Sequence, residues 1–204
     1  MSRKMLLVLL TGALLLSACS GSSTPWRDDF SNPDSGWQSG ASTDYVRGYQ
    51  QGKYYLRIDT DNWLVWTSAG KPYKDVIMRV TVFSEEARDN TYGLICRASK
   101  ERFYYFAISA DGFYNIYRHE AKGTLTPLVV PAMQRHPAIH TDGSANLLEV
   151  RCIGTQLTLA VNGQTVATAE DNTLRRGQVG LAGSKGRDDR PAIIWFDDLE
   201  VERP

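Results

Sequence analysis

The chain is 204 residues long, and its 23 lysines and arginines balance 23 aspartates and glutamates to a formal net charge of zero. A neutral balance excludes the basic footprint of a nucleic-acid-binding protein and gives no overall pull toward an anionic membrane. Three cysteines are too few for a cysteine-rich metal framework.

At the N-terminus Arg3 and Lys4 precede an apolar run over 5–16, and small residues follow it before Cys19. Charged start, apolar middle and small-residue cleavage site form the three-part pattern of a secretory signal peptide. The run is about a dozen residues, well short of the roughly 20 that cross a bilayer as a helix, so it reads as a removed segment. Leu16-Ser17-Ala18-Cys19 sets an apolar residue and two small residues directly before a cysteine. This resembles the lipobox of bacterial lipoproteins; the alternative is an ordinary signal peptide with a chance cysteine. The resemblance implies cleavage before Cys19, diacylation of its thiol and acylation of the new amino group. Two or three acyl chains anchor stably, because each buried methylene contributes about 0.8 kcal/mol and one chain alone is marginal. Ser20 is not the aspartate that retains such proteins at an inner membrane. That points to the outer membrane where the cell has one, and otherwise to the outer face of the cell membrane. The expected division is a signal peptide over 1–18, a lipidated cysteine with a short polar tether over 19–27, and one domain over 28–204. Its roughly 180 residues suffice to bury a core without metals or staples.

Beyond the tether, helical periodicity is nearly absent, while β-branched and aromatic runs recur between Gly, Asn and Asp turns. Strands are expected over 53–58, 63–67, 75–83, 92–98, 102–109, 113–118, 125–130, 147–153, 156–161, 165–169, 178–182 and 193–201. A dozen strands exceed what one twisted open sheet usually carries, so two packed sheets are expected. Asn162-Gly163 and Asp111-Gly112 each read as a tight type I′ hairpin, since both residues tolerate positive φ. Residues 131–146 form the longest loop.

Alternation assigns faces. Leu148, Val150 and Cys152 lie opposite Glu149 and Arg151, and Tyr92, Leu94 and Cys96 lie opposite Arg97, so both cysteines look inward. With Cys19 acylated, Cys96 and Cys152 are a candidate disulfide in an oxidising compartment; two unpaired core thiols are the other reading.

Asp29-Phe30 with Gly36-Trp37, the strand over 75–83, Tyr92-Gly93-Leu94-Ile95-Cys96-Arg97, Asn146-Leu147-Leu148-Glu149-Val150, Val161-Asn162-Gly163 and Phe196-Asp197-Asp198-Leu199-Glu200-Val201 follow one another in a telling order. Over about 28–202 this order resembles the concanavalin A-like (laminin-G/glucanase) jelly roll, and in particular domains related to the 3-keto-disaccharide hydrolase domain. The resemblance implies an all-β, two-sheet sandwich with a first strand near Phe30 beside a last strand near Phe196. It does not by itself carry a function.

Catalytic constellations are missing. A retaining glucanase needs two carboxylates about 5 Å apart on a cleft-facing strand. The Glu-x-Asp-x-x-Glu pattern is absent, Glu85-Glu86 falls in a turn, and Asp197-Asp198 are adjacent and so point to opposite faces. His119, His136 and His140 read as surface-loop residues, since His136 and His140 straddle Pro137 without the Glu of a zinc helix. No cofactor is expected. Jelly rolls often hold a structural calcium near their first and last strands, for which Asp28, Asp29 and Asp197 are candidates beside a plain turn-forming role.

The suggestive feature is the mixture of aromatic and polar residues on single strands, Trp63, Trp66, Tyr104, Tyr105, Tyr114 and Tyr117 among them. In a jelly roll, rings on an outer groove stack on sugar faces while Arg and Asn bond hydroxyls. Trp66, Arg97, Tyr105, Asn115, Tyr117 and Arg151 are the candidate ligand-binding residues; packing of the sandwich is the alternative use of such rings. The expectation is a non-catalytic, membrane-tethered envelope domain that binds carbohydrate or another envelope component. A glycoside or 3-keto-disaccharide hydrolase and a structural protein-interaction role are the alternatives.

Overall fold

Alternating apolar and polar residues, punctuated by glycine-bearing turns, build sixteen strands and no helix in the computed structural model, which describes residues 24–85, 89–187 and 189–204. The expected signal peptide, Cys19 and Glu86 lie outside the described residues. In chain order the strands are β1 (Trp26–Asp28), β2 (Gly40–Ala41), β3 (Tyr45–Gln50), β4 (Lys53–Ile58), β5 (Leu64–Tyr73), β6 (Val76–Ser84), β7 (Thr91–Ser99) and β8 (Arg102–Ser109). They continue with β9 (Phe113–His119), β10 (Leu125–Pro127), β11 (Gln134–Arg135), β12 (Asn146–Ile153), β13 (Gln156–Val161), β14 (Gln164–Glu170), β15 (Gly177–Ser184) and β16 (Ala192–Glu202).

Two antiparallel sheets result. The first runs β14-β13-β12-β6-β16-β4-β3-β2, with β1 paired to the C-terminal half of β16. The second runs β10-β9-β8-β7-β15-β5, with β11 added to β9. Val76, Met78, Val80 and Val82 of β6 and Leu148, Val150 and Cys152 of β12 join one buried cluster with Leu94, Cys96, Tyr104, Phe106 and Ile108 of the second sheet. Each large side chain so buried contributes about 1.5–3 kcal/mol. Cys96 and Cys152 are bonded across the sandwich with Cα atoms 6.8 Å apart and a sequence separation of 56, which settles the two readings in favour of the disulfide. Closing a loop of that length is worth about 4 kcal/mol in chain-entropy terms.

Several local expectations need correction. Asn162 and Gly163 do take φ of 50° and 81°, but Asp111-Gly112 is not a type I′ pair. There Gly112 N–H donates to the Ser109 carbonyl at 3.0 Å and Gly112 alone takes positive φ, giving a three-residue loop. The first strand is β1, not a segment at Phe30, and its Trp26 pairs with Val201 well past Phe196. Asp28 Oδ1 accepts the Phe30 N–H at 2.8 Å and Phe30 turns to φ 56°, which ends the strand. The strand expected over 125–130 stops at Pro127, although the Leu128 N–H still donates to the Ile116 carbonyl of β9 at 2.8 Å.

Because Trp26 lies opposite Val201, the chain enters the sandwich at the end where β16 finishes. The 72–75, 99–102, 120–124, 154–155 and 171–176 turns share that end, as the pairs Cys152↔Val76, Gly177↔Tyr73 and Gln178↔Ala98 require. Trp26 stacks on Trp37 at 5.9 Å and covers Gly70, whose φ of 74° and lack of a Cβ make room for the ring.

Candidate functional site

The outer face of the second sheet carries a second, smaller apolar cluster: Ile95, Ala98, Phe103, Tyr105, Ala107 and Ala182, flanked by Leu64, Trp66, Tyr117 and Met133. Register explains the grouping. Trp66 lies opposite Ala182, Tyr105 lies between Ile95 and Tyr117, and Phe103 lies opposite His119, so all face the same way. Trp66 meets Phe103 at 5.1 Å, Phe103 stacks on His119 at 4.4 Å, and Tyr105 stacks on Tyr117 at 6.3 Å.

A cleft of about 420 Å³ opens on this face. Asn62, Trp63 and Leu64 border it on one side and Gly123 and Leu125 on the other, with Tyr105 and Tyr117 below and Thr91, Ser184 and His119 supplying further polar atoms. Trp63 keeps 47% of its surface exposed, and Leu125 keeps 37%. Tyr105 is buried and its hydroxyl has no hydrogen-bond partner; the Thr91 hydroxyl interacts with it without reaching bonding geometry. Burial pushes the Tyr105 phenol well above its ordinary range, so it stays a neutral donor. Among the described residues no aspartate or glutamate lines the cleft.

Of the six residues picked from the sequence, Trp66, Tyr105 and Tyr117 meet on this face. Asn115 shares it but is fully covered, its Nδ2 donating to the Val130 carbonyl at 2.9 Å. Arg97 and Arg151 do not belong there, which corrects the expected groove. Between Cys96 and Ser99 the β7–β8 register shifts, and Arg97 at φ 54° turns into the entry end of the sandwich. There the buried guanidinium donates to the carbonyls of Lys74, Leu174 and Gly154 at 2.8–3.0 Å and faces Asp75 at 3.5 Å. Arg151 does point outward, but from the first sheet, where it bonds Glu149.

Tyr104 and Tyr114 belong to the inner core. His119 is not a surface-loop residue: it ends β9, is buried, and its Nδ1–H donates to the Glu101 carbonyl at 2.5 Å. Trp63, Thr91, His119 and Ser184 are among the cleft residues that sequence reasoning left out of the binding set. For Thr91, His119 and Ser184 the signal was the same outward alternation on β7, β9 and β15, hidden by short or polar side chains; Trp63 precedes β5 with a parity opposite to that of Leu64 and Trp66, so alternation gave no signal for it. The three aspartates considered for calcium each have protein partners: Asp28 accepts from Phe30 N–H and Trp37 Nε1–H, Asp29 from Ser31, and Asp197 from Lys53. Among the described residues no group of three or more His, Cys, Asp or Glu is placed to hold a metal ion.

No protein-family model and no curated protein sequence matches the chain. Solved structures do. A carbohydrate binding module, CBM66, from Bacillus subtilis aligns with a TM-score of 0.62 at 17% identity, over 82% of this chain and 96% of that one. A protein with a galectin-like fold from Bacillus subtilis aligns with a TM-score of 0.66 at 11% identity, over 89% and 97%. A Bacillus licheniformis beta-glucanase aligns at 0.61 with 9% identity, over 89% and 99%. The fold is therefore an all-β, two-sheet jelly-roll sandwich, the architecture expected from the sequence.

Proposed function

We propose that this protein is a non-catalytic envelope lipoprotein, held at a membrane by lipid on Cys19, that binds glycan through the cleft on the outer face of its second sheet. The cleft carries the reading: exposed Trp63 and half-buried Tyr117 line it and offer ring faces to apolar sugar surfaces, half-buried Trp66 stands beside it on the same face, and the Tyr105 hydroxyl beneath is unsatisfied. Among the described residues the cleft offers no carboxylate pair of the kind glycoside hydrolysis uses. Export is supported by the lipobox sequence and by the Cys96–Cys152 bond, since structural disulfides persist in oxidising compartments. The carbohydrate binding module and the glucanase that share the fold make a sugar ligand a natural first choice.

Glycan-array profiling of the purified protein, followed by titration of the best saccharide, is expected to find binding that weakens at least about tenfold in Trp66→Ala while the protein still melts cooperatively. Absence of binding across a broad array, or binding untouched by Trp66→Ala and Trp63→Ala, sinks the assignment. Turnover of a glycoside or 3-keto-glycoside by the same sample overturns its non-catalytic part.

A further inference from the structure

A net charge of zero conceals an uneven distribution. At the end where the chain enters the sandwich, Lys74, Lys100, Lys122, Arg175 and Arg176 are exposed, and among the described residues none has a side-chain hydrogen bond or ion pair. The acids nearby are mostly occupied: Asp75 accepts Gly154 N–H and faces Arg97, Glu120 and Asp171 are held by Arg118, and Glu202 by Arg79. Around these turns Glu101 and Glu170 are the acids without an ion pair, and Asp29 and Asp198, nearer Trp26, have none either; at the turns themselves unpaired cations outnumber unpaired anions.

These cations border open clefts. Lys100 stands on one lip with Glu101 and with Arg102, which pairs with Glu120 at 3.4 Å, and Arg175 and Arg176 stand on the other, of a cleft of about 640 Å³; Lys74, Arg176 and Arg203 border, with Asp75, a neighbour of about 310 Å³. Like charges facing each other across a cleft repel, and an anion seated between them reverses that cost. We propose that this end is a docking surface for the phosphate headgroups of anionic phospholipid. The partner follows from where the chain enters: six residues lie between Cys19 and Trp26, seven steps of the chain. Even fully extended they keep this end within about 25 Å of the lipidated residue. An anionic bilayer attracts Lys and Arg within a Debye length of about 8–10 Å, a separation the linker permits. The placement rests on the Cys19 anchor proposed above, whereas the charge pattern does not.

The test uses the mature chain from residue 19 carrying Cys19→Ser, so that no acyl chain contributes. It is sedimented with vesicles of phosphatidylcholine alone and of phosphatidylcholine with about 30% phosphatidylglycerol, at low and high salt. Binding is expected only to the anionic vesicles, weakening as salt rises, and falling at least about tenfold in Lys100→Glu/Arg175→Glu/Arg176→Glu. Arg135→Glu/Arg187→Glu, at the opposite end, should leave it unchanged. The reversed residues are exposed, and Lys100→Gln/Arg175→Gln/Arg176→Gln repeats the test should the reversals unfold the protein. Equal binding to both vesicles, insensitivity to the triple variants, or full competition by soluble dextran sulfate at matched charge overturns the proposal, the last in favour of a polyanionic glycan. Failure of the anchor is read separately: a Cys19→Ser chain that stays in the membrane fraction of cells, at a salt concentration that abolishes vesicle binding, removes the anchor without touching the vesicle result.

Discussion

Tyr104 and Tyr105 are neighbours on β8 with opposite fates. The Tyr104 hydroxyl faces inward, donates to Asp171 Oδ1 at 2.5 Å and accepts from Leu174 N–H at 2.9 Å; burial and its acidic partner push its phenol up to about 12. Tyr105 is equally buried, yet its hydroxyl bonds nothing. An unsatisfied buried hydroxyl costs about 1–3 kcal/mol, so Tyr105→Phe is expected to stabilise the free protein by about 1 kcal/mol, whereas Tyr104→Phe destabilises it by a similar amount. Thermal denaturation of the two variants checks the opposite signs, and the proposed site adds that Tyr105→Phe weakens glycan binding as it raises the melting temperature. Arg97 is the other decisive single residue. Its fork satisfies carbonyls from three separate turns, which a lysine's point charge does not reproduce. Both Arg97→Lys and Arg97→Ala should therefore lower stability, the alanine variant by about 3 kcal/mol or more in chemical denaturation.

Between elements, the strongest tie is the bond from β7 to β12. Replacing Cys96 and Cys152 together by alanine is expected to cost about 2–4 kcal/mol, with the same loss in the wild type under reductant; a melting temperature indifferent to reductant contradicts that role. The 171–176 segment is tied differently. Although burial opposes it, hydrogen bonds from Tyr104 and Thr173 and the charge of Arg118 hold the Asp171 carboxyl below its ordinary 3.8. A lowered carboxylate stabilises the folded state above its unfolded value and loses that contribution as pH falls through the folded one. Hydrogen exchange at Leu174 N–H should accordingly quicken below about pH 4 while core amides of β6 stay protected. The inward faces of β6, β12 and β13 were legible because unbroken alternation survives translation into structure. Arg97 was not, because alternation fails across a bulge, and no residue type announces this one. Arg151 was read correctly as outward, but alternation says nothing about which sheet owns the face. β1 and β2 are too short to show a period, and Gly48, at φ 149°, interrupts the pattern of β3.

For the whole molecule, the position of chain entry decides what the proposed anchor would do. Among the described residues the aromatic cluster that closes the entry end begins with Trp26, which stacks on Trp37, while Phe30 and Tyr54 pack behind it. Among the described residues the first strand of the sandwich begins at Trp26, and Cys96 and Cys152 are bonded to each other. Anchoring and folding should therefore separate cleanly. Cys19→Ala is expected to abolish incorporation of labelled fatty acid and to release the protein from the membrane fraction, with the disulfide still formed and the melting temperature of the domain unchanged within about 1 °C, far less than a 1 kcal/mol loss produces at this size. Cell fractionation at high salt, with labelled palmitate and a thermal melt on the same samples, measures all three. A variant that loses lipid and fold together would mean that the residues around Cys19 serve the sandwich itself, and a wild type without label would remove the lipid from the account. With the expected result, the cleft on the second sheet is carried by a domain whose stability owes nothing to the membrane, so glycan affinities measured on the lipid-free protein apply to the tethered one.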